Sequence, residues 1–219
     1  MSEGTIIVLN GASSSGKTSI ARALQRRLPE PHLLVGPDTL RPQLPERYFD
    51  PDTGYIVHDP PEGHPAREAY YMTTVTDGTA RWYELHLGPV ARRLTAGRQA
   101  AVAALAAAGN RLIVDEVLLD PEFLDTYLQV LRDFAVLFVG LRCPLVVLEQ
   151  RERARGDRLL GHTRGHAHLV HAHGLYDLEV DTSVAGAEDC AEQILRRLHQ
   201  GPPPDAFAQL KALADVRRA

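Results

Sequence analysis

Apolar residues fall along this chain in two alternating rhythms. Short apolar runs, the first of them rich in β-branched residues, occupy 5–10 (TIIVLN), 32–36 (HLLVG), 111–119 (RLIVDEVLL), 135–142 (AVLFVGLR) and 175–181 (LYDLEVD). The longest of them are apolar at consecutive positions, the pattern of a strand buried on both faces. Between them, apolar positions recur every three to four residues. Over 17–28, Ile20, Ala21, Leu24 and Leu28 share one helical face, and Pro29 stops the helix. Further helices are predicted over 89–108, with Gly109 as the C-cap, and over 121–132, 144–155 and 187–199. Strand and helix alternating in this way predict an α/β fold with a five-stranded parallel sheet flanked by helices.

Three stretches break the rhythm. Residues 45–66 hold Pro45, Pro51, Pro60, Pro61 and Pro65, just after Pro37 and Pro42, and the turn signal Asp52-Thr53-Gly54, so irregular chain is expected. Residues 67–87 carry Tyr70, Tyr71, Trp82 and Tyr83 and read as a helical or mixed insertion, its rings either lining a pocket or forming a packing patch. Residues 156–173 are rich in Gly, His and Arg and read as a mobile loop with a helix in it. Gly201-Pro202-Pro203-Pro204 links to a short helix over 206–216, docked through Phe207, Leu210 and Leu213. The expected organisation is a main domain over 1–200, with a substrate-binding insertion at 41–100 and a lid at 156–173, and a Pro-linked tail over 201–219.

Composition narrows the function classes. The 219 residues carry 24 basic and 28 acidic side chains, a net charge of −4. That argues against a protein that holds nucleic acid or an anionic membrane through bulk charge. Two cysteines, Cys143 and Cys190, make no disulfide framework. The N-terminus lacks the basic and apolar regions of a signal peptide, and no apolar run reaches transmembrane length. A cytoplasmic protein is expected. Lys17 and Lys211 are the two lysines among the basic residues, the rest being arginine. A lysine kept in so arginine-rich a chain points to a specific task.

Lys17 stands in such a place. Gly11-Ala12-Ser13-Ser14-Ser15-Gly16-Lys17-Thr18 matches G-x-x-x-x-G-K-[ST] in full, between a predicted strand and a predicted helix. Glycines let the backbone curl so that successive N–H groups face phosphate oxygens, and the helix N-terminus, with Ser19 in its first turn, adds partial positive charge. In such a loop the lysine reaches the β and γ phosphates and the Thr18 hydroxyl binds Mg²⁺. The motif therefore predicts ATP and Mg²⁺. A guanine-reading Asn-Lys-x-Asp is absent, because neither Asn10 nor Asn110 precedes a lysine.

Other residues supply the chemistry such a loop needs. Asp38 follows the second strand by two residues, at the edge where parallel sheets bind ligands; it could take the proton of an acceptor hydroxyl, or cap the short helix that Pro42 and Pro45 limit. Asp115 and Glu116 close the third strand, where a carboxylate organises Mg²⁺; Asp115 is the expected metal residue. Arg151, Arg155 and Arg158 are spaced to share a helix face and could gather phosphate oxygens, with surface pairing to Glu149, Glu152 and Asp157 as the other reading. Half of the ten histidines crowd the following segment, at His162, His166, His168, His171 and His173. Their spacing fits a polar lid better than a metal site.

Taken together, these residues resemble the chloramphenicol phosphotransferase-like P-loop kinases. The resemblance is carried by 9–18 (LNGASSSGKT), 28–31 (LPEP), 35–40 (VGPDTL), 111–118 (RLIVDEVL), 139–143 (VGLRC), 149–161 (EQRERARGDRLLG) and the pattern HxxG-x-YD-x-EVDTS within 170–183. It implies a P-loop sheet like that of nucleoside and shikimate kinases, ATP with Mg²⁺, and transfer of the γ-phosphate to a hydroxyl of chloramphenicol. It places the family's base on Asp38, its arginine lid on Arg151 to Arg158, and Thr182 near the adenine. Residues 41–100 depart from the family's antibiotic-binding stretch, so another antibiotic, a nucleoside or a sugar-containing metabolite remains open as the hydroxyl-bearing partner. A nucleotide-binding regulator and a nucleotide kinase are the alternatives.

Overall fold

The computed structural model describes residues 5–155 and 160–218. Its strands and helices run β1 (Ile6–Asn10), α1 (Lys17–Arg27), β2 (His32–Val35), α2 (Pro37–Leu40), β3 (Val57–His58), β4 (Tyr70–Thr76), β5 (Arg81–Leu87), α3 (Pro89–Ala107), β6 (Arg111–Glu116), α4 (Pro121–Val130), β7 (Val136–Arg142), α5 (Leu145–Arg155), α6 (His162–Ala167), β8 (Leu178–Asp181), α7 (Ala187–Gln200) and α8 (Ala206–Arg218). Five strands form one sheet in the order β2-β6-β1-β7-β8, and every pairing in it is parallel. Central β1 is buried at all five positions. Ile6 and Val8 turn to one face, where they meet Leu112, Val114, Phe138 and side chains of α3, α4 and α8. Ile7 and Leu9 turn to the other, against Ile113, Val139 and the apolar sides of α1 and α7. The consecutive apolar residues of the strand are thus explained by a core on each side of the sheet.

Parallel pairing brings the C-terminal ends of β1, β2 and β6 to one edge. Leu9 is opposite Asp115 and Asn10 opposite Glu116, while Val35 is opposite Val114. The chain leaving each of those strands carries Gly11, Asp38 or the Asp115-Glu116 pair, so three distant pieces of sequence meet where open α/β sheets bind ligands.

Of residues 67–87, expected to be helical or mixed, only Arg67 and Glu68 lie in a helical turn. Tyr70 to Leu87 form the antiparallel hairpin β4–β5, to which β3 adds a short parallel strand, making a second, three-stranded sheet. Burial alternates: Tyr70 and Met72 are buried, whereas Tyr71 and Thr73 are half-exposed. The turn supplies the register. Thr76 pairs with Arg81, and across the intervening loop the Asp77 carboxylate accepts the N–H groups of Thr79 (3.0 Å) and Ala80 (2.8 Å). The β-branched run Thr73 to Thr76 followed by Asp77-Gly78 is the signal that identifies this hairpin in the sequence.

Two further boundaries differ from expectation. The strand predicted over 111–119 ends at Glu116, and the last strand begins at Leu178 rather than 175. The second shift has a cause in Asp177, whose side chain is fully buried. Its carboxylate accepts N–H groups from Phe138 (2.9 Å), Asp205 (2.8 Å) and Ala206 (3.1 Å), and Arg197 stands 3.7 Å away. Asp177 therefore fastens β7 and the start of α8 at one point. Ala206 and Leu210 of α8 are buried in the core, Phe207 packs against it, and Leu213, expected as a docking residue, is 52% exposed.

Replacing Asp177 leaves three backbone donors without their acceptor. Asp177→Ala is expected to destabilise the protein by about 3 kcal/mol, read from urea unfolding. Faster amide exchange confined to α8 and the end of β7 is the accompanying sign; unchanged exchange at α8 contradicts the fastening role.

Candidate functional site

The phosphate loop begins where β1 ends. Ser14 (φ 63°) and Gly16 (φ 89°) are left-handed, which curls the chain back and opens its N–H groups inward. Lys17 begins α1 and is 7% exposed. Its ammonium donates to the carbonyls of Gly11 (3.0 Å) and Ala12 (2.9 Å), so it lies across the loop, and Asp115 Oδ1 is 3.9 Å from it. Ser15 Oγ is buried and has no hydrogen-bond partner among the described residues. A curled backbone at a helix N-terminus, a buried ammonium and an orphaned hydroxyl together suit a polyphosphate.

Adjacent strand residues point to opposite faces, and β6 uses both. Asp115 turns toward the phosphate loop, where Thr18 Oγ1 donates to its Oδ2 at 2.6 Å. Those two hard oxygen groups beside the loop fit an Mg²⁺ ion. Glu116 turns the other way and is buried. It accepts from Arg98 Nη1 (2.6 Å) and from the Tyr127 hydroxyl (2.8 Å). Burial raises the Tyr127 pKa well above its ordinary value, and the Glu116 charge adds to that. For Arg98, burial pulls the other way, but Glu116 outweighs it and the guanidinium is held protonated.

Asp38 does not cap its helix. Gly36 is the N-cap of α2 and Pro37 its first residue, with Thr39 Oγ1 accepting the Gly36 N–H at 3.1 Å. Asp38 is left one position inside the helix, 68% exposed at its side chain and bonded to Arg41 Nη2 at 2.7 Å. The Arg41 guanidinium also sits over the Tyr55 ring, 5.2 Å from its centre. It thereby ties Asp38 to the segment that leads into the second sheet.

Arg151 and Arg155 of α5 reach the same space, while Arg158 lies outside the described residues. Arg151 donates to the Thr182 carbonyl (2.5 Å) and hydroxyl (3.3 Å), which fixes it against the turn after β8. Glu149 and Glu152, two of the expected surface partners of these arginines, take other partners, and the third, Asp157, lies outside the described residues. Glu149 pairs with Arg153 and Arg164. Glu152 is buried, and its carboxylate accepts from Gly161 N (2.8 Å), Thr163 N (2.9 Å) and Thr163 Oγ1 (3.0 Å). It anchors α6. The helix is pressed onto β5 so closely that a Cβ at Gly165 would stand 2.1 Å from the Tyr83 carbonyl.

A cavity of about 710 Å³ joins these groups. Ser13 to Ser19, Asp38, Asp115, Arg151, Arg155 and Thr182 line one half. Gly11 and Ala12 stand behind the loop and contribute their carbonyls to Lys17. The other half is lined by Tyr55, Ile56, Tyr70, Met72, Leu85 and Leu87 of the second sheet and its approach, and by Thr95 and Arg98 of α3. Of the four rings singled out in the sequence, Tyr70 lines the cavity. Tyr71 stacks on His86, and Tyr83 packs edge-on against His58 and His162.

Arg41, Arg98 and Asn10 escaped the sequence reading, and Glu152 entered it only as a surface ion-pair partner. Asn10, fully buried at the root of the loop, donates to the Val170 carbonyl (2.7 Å) and lies 2.8 Å from the Tyr176 hydroxyl, and its own carbonyl accepts Leu118 N at 3.0 Å. An asparagine closing an otherwise apolar strand was the available signal for it. The histidines divide. His162 and His166 line the cavity, while His171 and His173 pack behind it around Tyr176. No cluster of three metal-ligating side chains occurs among the described residues. Nor is any described helix long and apolar enough to cross a membrane.

Comparison with known proteins agrees with this geometry. A family model described as chloramphenicol phosphotransferase-like protein matches residues 4–199. A Mycobacterium tuberculosis H37Rv protein named "Putative O-phosphotransferase Rv2636" is 32% identical over 213 residues, which cover 96% of this chain and 89% of that protein. Among solved structures, the APS kinase of M. tuberculosis, in complex with AMPPNP and APS, aligns with a TM-score of 0.58 at 16% identity, over 90% of this chain and 99% of that one. The Deinococcus radiodurans tunicamycin resistance protein aligns at 0.54 and 19%, over 91% and 99%. Shikimate kinase from Acinetobacter baumannii, with shikimate, aligns at 0.51 and 14%, over 90% and 93%. These likenesses show the expected fold, that of P-loop kinases.

The half-buried histidines His171 and His173 predict a pH dependence. Burial, then Arg142 and His173, pushes His171 down to about 4, and burial likewise pushes His173 to about 4, from an ordinary 6.5. The unfolded chain binds these protons near 6.5 and the folded chain near 4, so the stability that neutral rings contribute is complete above 6.5 and drains away as pH falls toward 4. Urea midpoints are expected to drop across that window, and less steeply in His173→Phe, which keeps the stack on Phe138. Equal slopes for the two proteins contradict the assignment.

Proposed function

The chain belongs to the chloramphenicol phosphotransferase-like family, and from that premise we propose that it is an ATP-dependent O-phosphotransferase. It would move the γ-phosphate to a hydroxyl of a small molecule, with an antibiotic such as chloramphenicol the first candidate. The observation that carries this reading is the single cavity in which a phosphate loop and an apolar pocket face each other across Asp38 and Asp115. A regulator that merely senses nucleotide has no use for the apolar half. A cytoplasmic place suits the reading, since Cys143 and Cys190 are free thiols.

The chain's own residues divide the work. Lys17 and the N–H groups of the loop hold the β and γ phosphates. Thr18 and Asp115 would hold Mg²⁺, which when bound neutralises charge on the phosphate oxygens. Thr182, with Arg151 fastened to it, closes the nucleotide side, and Arg151 and Arg155 offset the charge that grows on the transferring group. Asp38, oriented by Arg41, accepts the proton of the acceptor hydroxyl. The acceptor oxygen then bonds to the γ-phosphorus as the bond from that phosphorus to the β-phosphate oxygen breaks, leaving ADP. Docking of α6 on β5 keeps water out, so that the acceptor and not water is phosphorylated.

Asp38→Ala is expected to lower phosphoryl transfer by at least about a hundredfold while an ATP analogue binds with affinity within about twofold of wild type. The measurement is ATP turnover against a panel of hydroxyl-bearing compounds, chloramphenicol and other antibiotics included. A variant that retains near-full turnover removes Asp38 from the role of base. Nucleotide binding by the wild type with no product from any acceptor favours the regulator.

A further inference from the structure

Two imidazoles meet where α6 rests on the second sheet. His58 of β3 is half-buried, and His162, the first residue of α6, is 1% exposed. Their Nε2 atoms stand 3.2 Å apart, so one ring donates and the other accepts. Aromatic rings enclose the pair. Tyr83 of β5 is edge-on to both imidazoles, and the Tyr55 ring is centred 5.9 Å from that of His162. The same Tyr55 ring carries the Arg41 guanidinium, which bonds Asp38 at 2.7 Å. A contiguous line of contacts therefore runs from β3, through the start of α6, to Asp38. Beside it, Tyr83 N donates to the Gly161 carbonyl at 3.2 Å.

A hydrogen bond between two imidazoles needs one bare nitrogen. A proton on each ring sets N–H against N–H and two charges side by side. The surroundings act on these charges from every side. Burial pushes His58 below its ordinary pKa; Asp59 and Asp50 pull it up, and Arg81 of β5 pushes it further down. Around His162 stand Tyr55, with Arg41 over its ring, and Tyr83 of β5. His166 lies one turn along α6, and Arg155 of α5 lines the same cavity. Glu152 of α5 favours charge there, but its oxygens already accept from Gly161 and Thr163, on either side of His162. We propose that the pair is a proton-sensitive latch. With neutral rings it holds α6 on the second sheet, and His162 is a positioning residue that keeps Tyr55, Arg41 and through them Asp38 in place. With both rings protonated, α6 leaves the sheet while Glu152 still holds it to α5. Undocked rings take up protons near an ordinary 6.5 and docked ones lower, so docking is complete above 6.5 and weakens as pH falls below it. The positioning of Asp38 rests on the phosphotransferase reading; the latch does not.

Trp82, the sole tryptophan of the chain, reports the docking. It lies on β5 against α6, where a Cβ at Gly165 would stand 3.6 Å from its ring and one at Gly161 3.1 Å from its Cα. The test follows quenching of Trp82 emission by acrylamide in the full chain, from about pH 8 to about pH 5, with far-ultraviolet circular dichroism as the control for the fold. The wild type is expected to show a reversible rise in quenching below pH 6.5 at constant dichroism. His58→Gln offers His162 an amide that bonds without titrating, and is expected to move the midpoint down by at least about one pH unit. His173→Phe, behind the cavity, is expected to leave the midpoint in place. Quenching that does not change with pH in the wild type, a midpoint that His58→Gln does not move, or dichroism lost at the same midpoint overturns the latch. For the positioning role, kcat of phosphoryl transfer to the acceptor found in the panel is expected to fall at the same midpoint, with KM for ATP steady, and to follow the shift in His58→Gln. An acid limb that stays in place in the variant removes that role. Absence of transfer to any acceptor, with the Trp82 transition intact, overturns the kinase reading and the positioning of Asp38 but not the latch.

Discussion

The register between β1 and β6 is the constraint on which the site depends. With Leu9 opposite Asp115 and Asn10 opposite Glu116, the phosphate loop leaves its strand beside the two carboxylates. A slip of one residue exchanges every side chain between the faces. Glu116 would then face Thr18, and Asp115 the buried guanidinium of Arg98. The register is protected because both faces of β1 are buried in separate cores, and because Asn10 is bonded to three different segments at the strand's end. The same alternation that packs the sheet sends Asp115 to the phosphate-loop side of the cavity and Glu116 to Arg98 on the other.

Much of the main sheet was legible because its signals are local. β1, α1 and the phosphate loop lie within one stretch of residues, and the glycines and Lys17 are recognisable by spacing alone. The position of Asp38 at the sheet edge followed from the parallel topology. The hairpin β4–β5 was misjudged because four aromatic residues drew attention from the alternation of burial that Tyr70 and Met72 obey. The partners that complete the site could not be read in the same way. Glu152 sits in a run of charges that reads as surface, and only the fold reveals that α6 returns its backbone to that carboxylate. Arg98 lies in an alanine-rich helix, 18 residues before Glu116, and nothing local marks the two as partners. Interactions across such distances are set by packing, which a single sequence does not display.

The short helix α6 ties the two halves of the cavity together. α6 hangs from α5 through Glu152 and rests on β5 of the second sheet, while Thr163 Oγ1 approaches the Ser13 carbonyl of the phosphate loop at 3.5 Å. It thus touches the phosphate loop, α5 and the second sheet. The absence of a side chain at Gly165 permits that contact, since any larger residue would push α6 away from the β5 backbone.

The scarcity of lysine has a practical consequence. Arginine carries nearly all the positive charge of the chain, and Lys211, paired with Asp215 on α8, is the one side-chain amine outside the phosphate loop. Lys17 is buried with its amine across that loop. A nucleotide bearing an acylating group thus meets a single side-chain amine in its pocket, with one distant side-chain amine and the α-amine elsewhere. The chain's arginine-dominated surface is chemically silent toward such reagents, which makes covalent occupancy of the pocket readable from the mass of the intact protein.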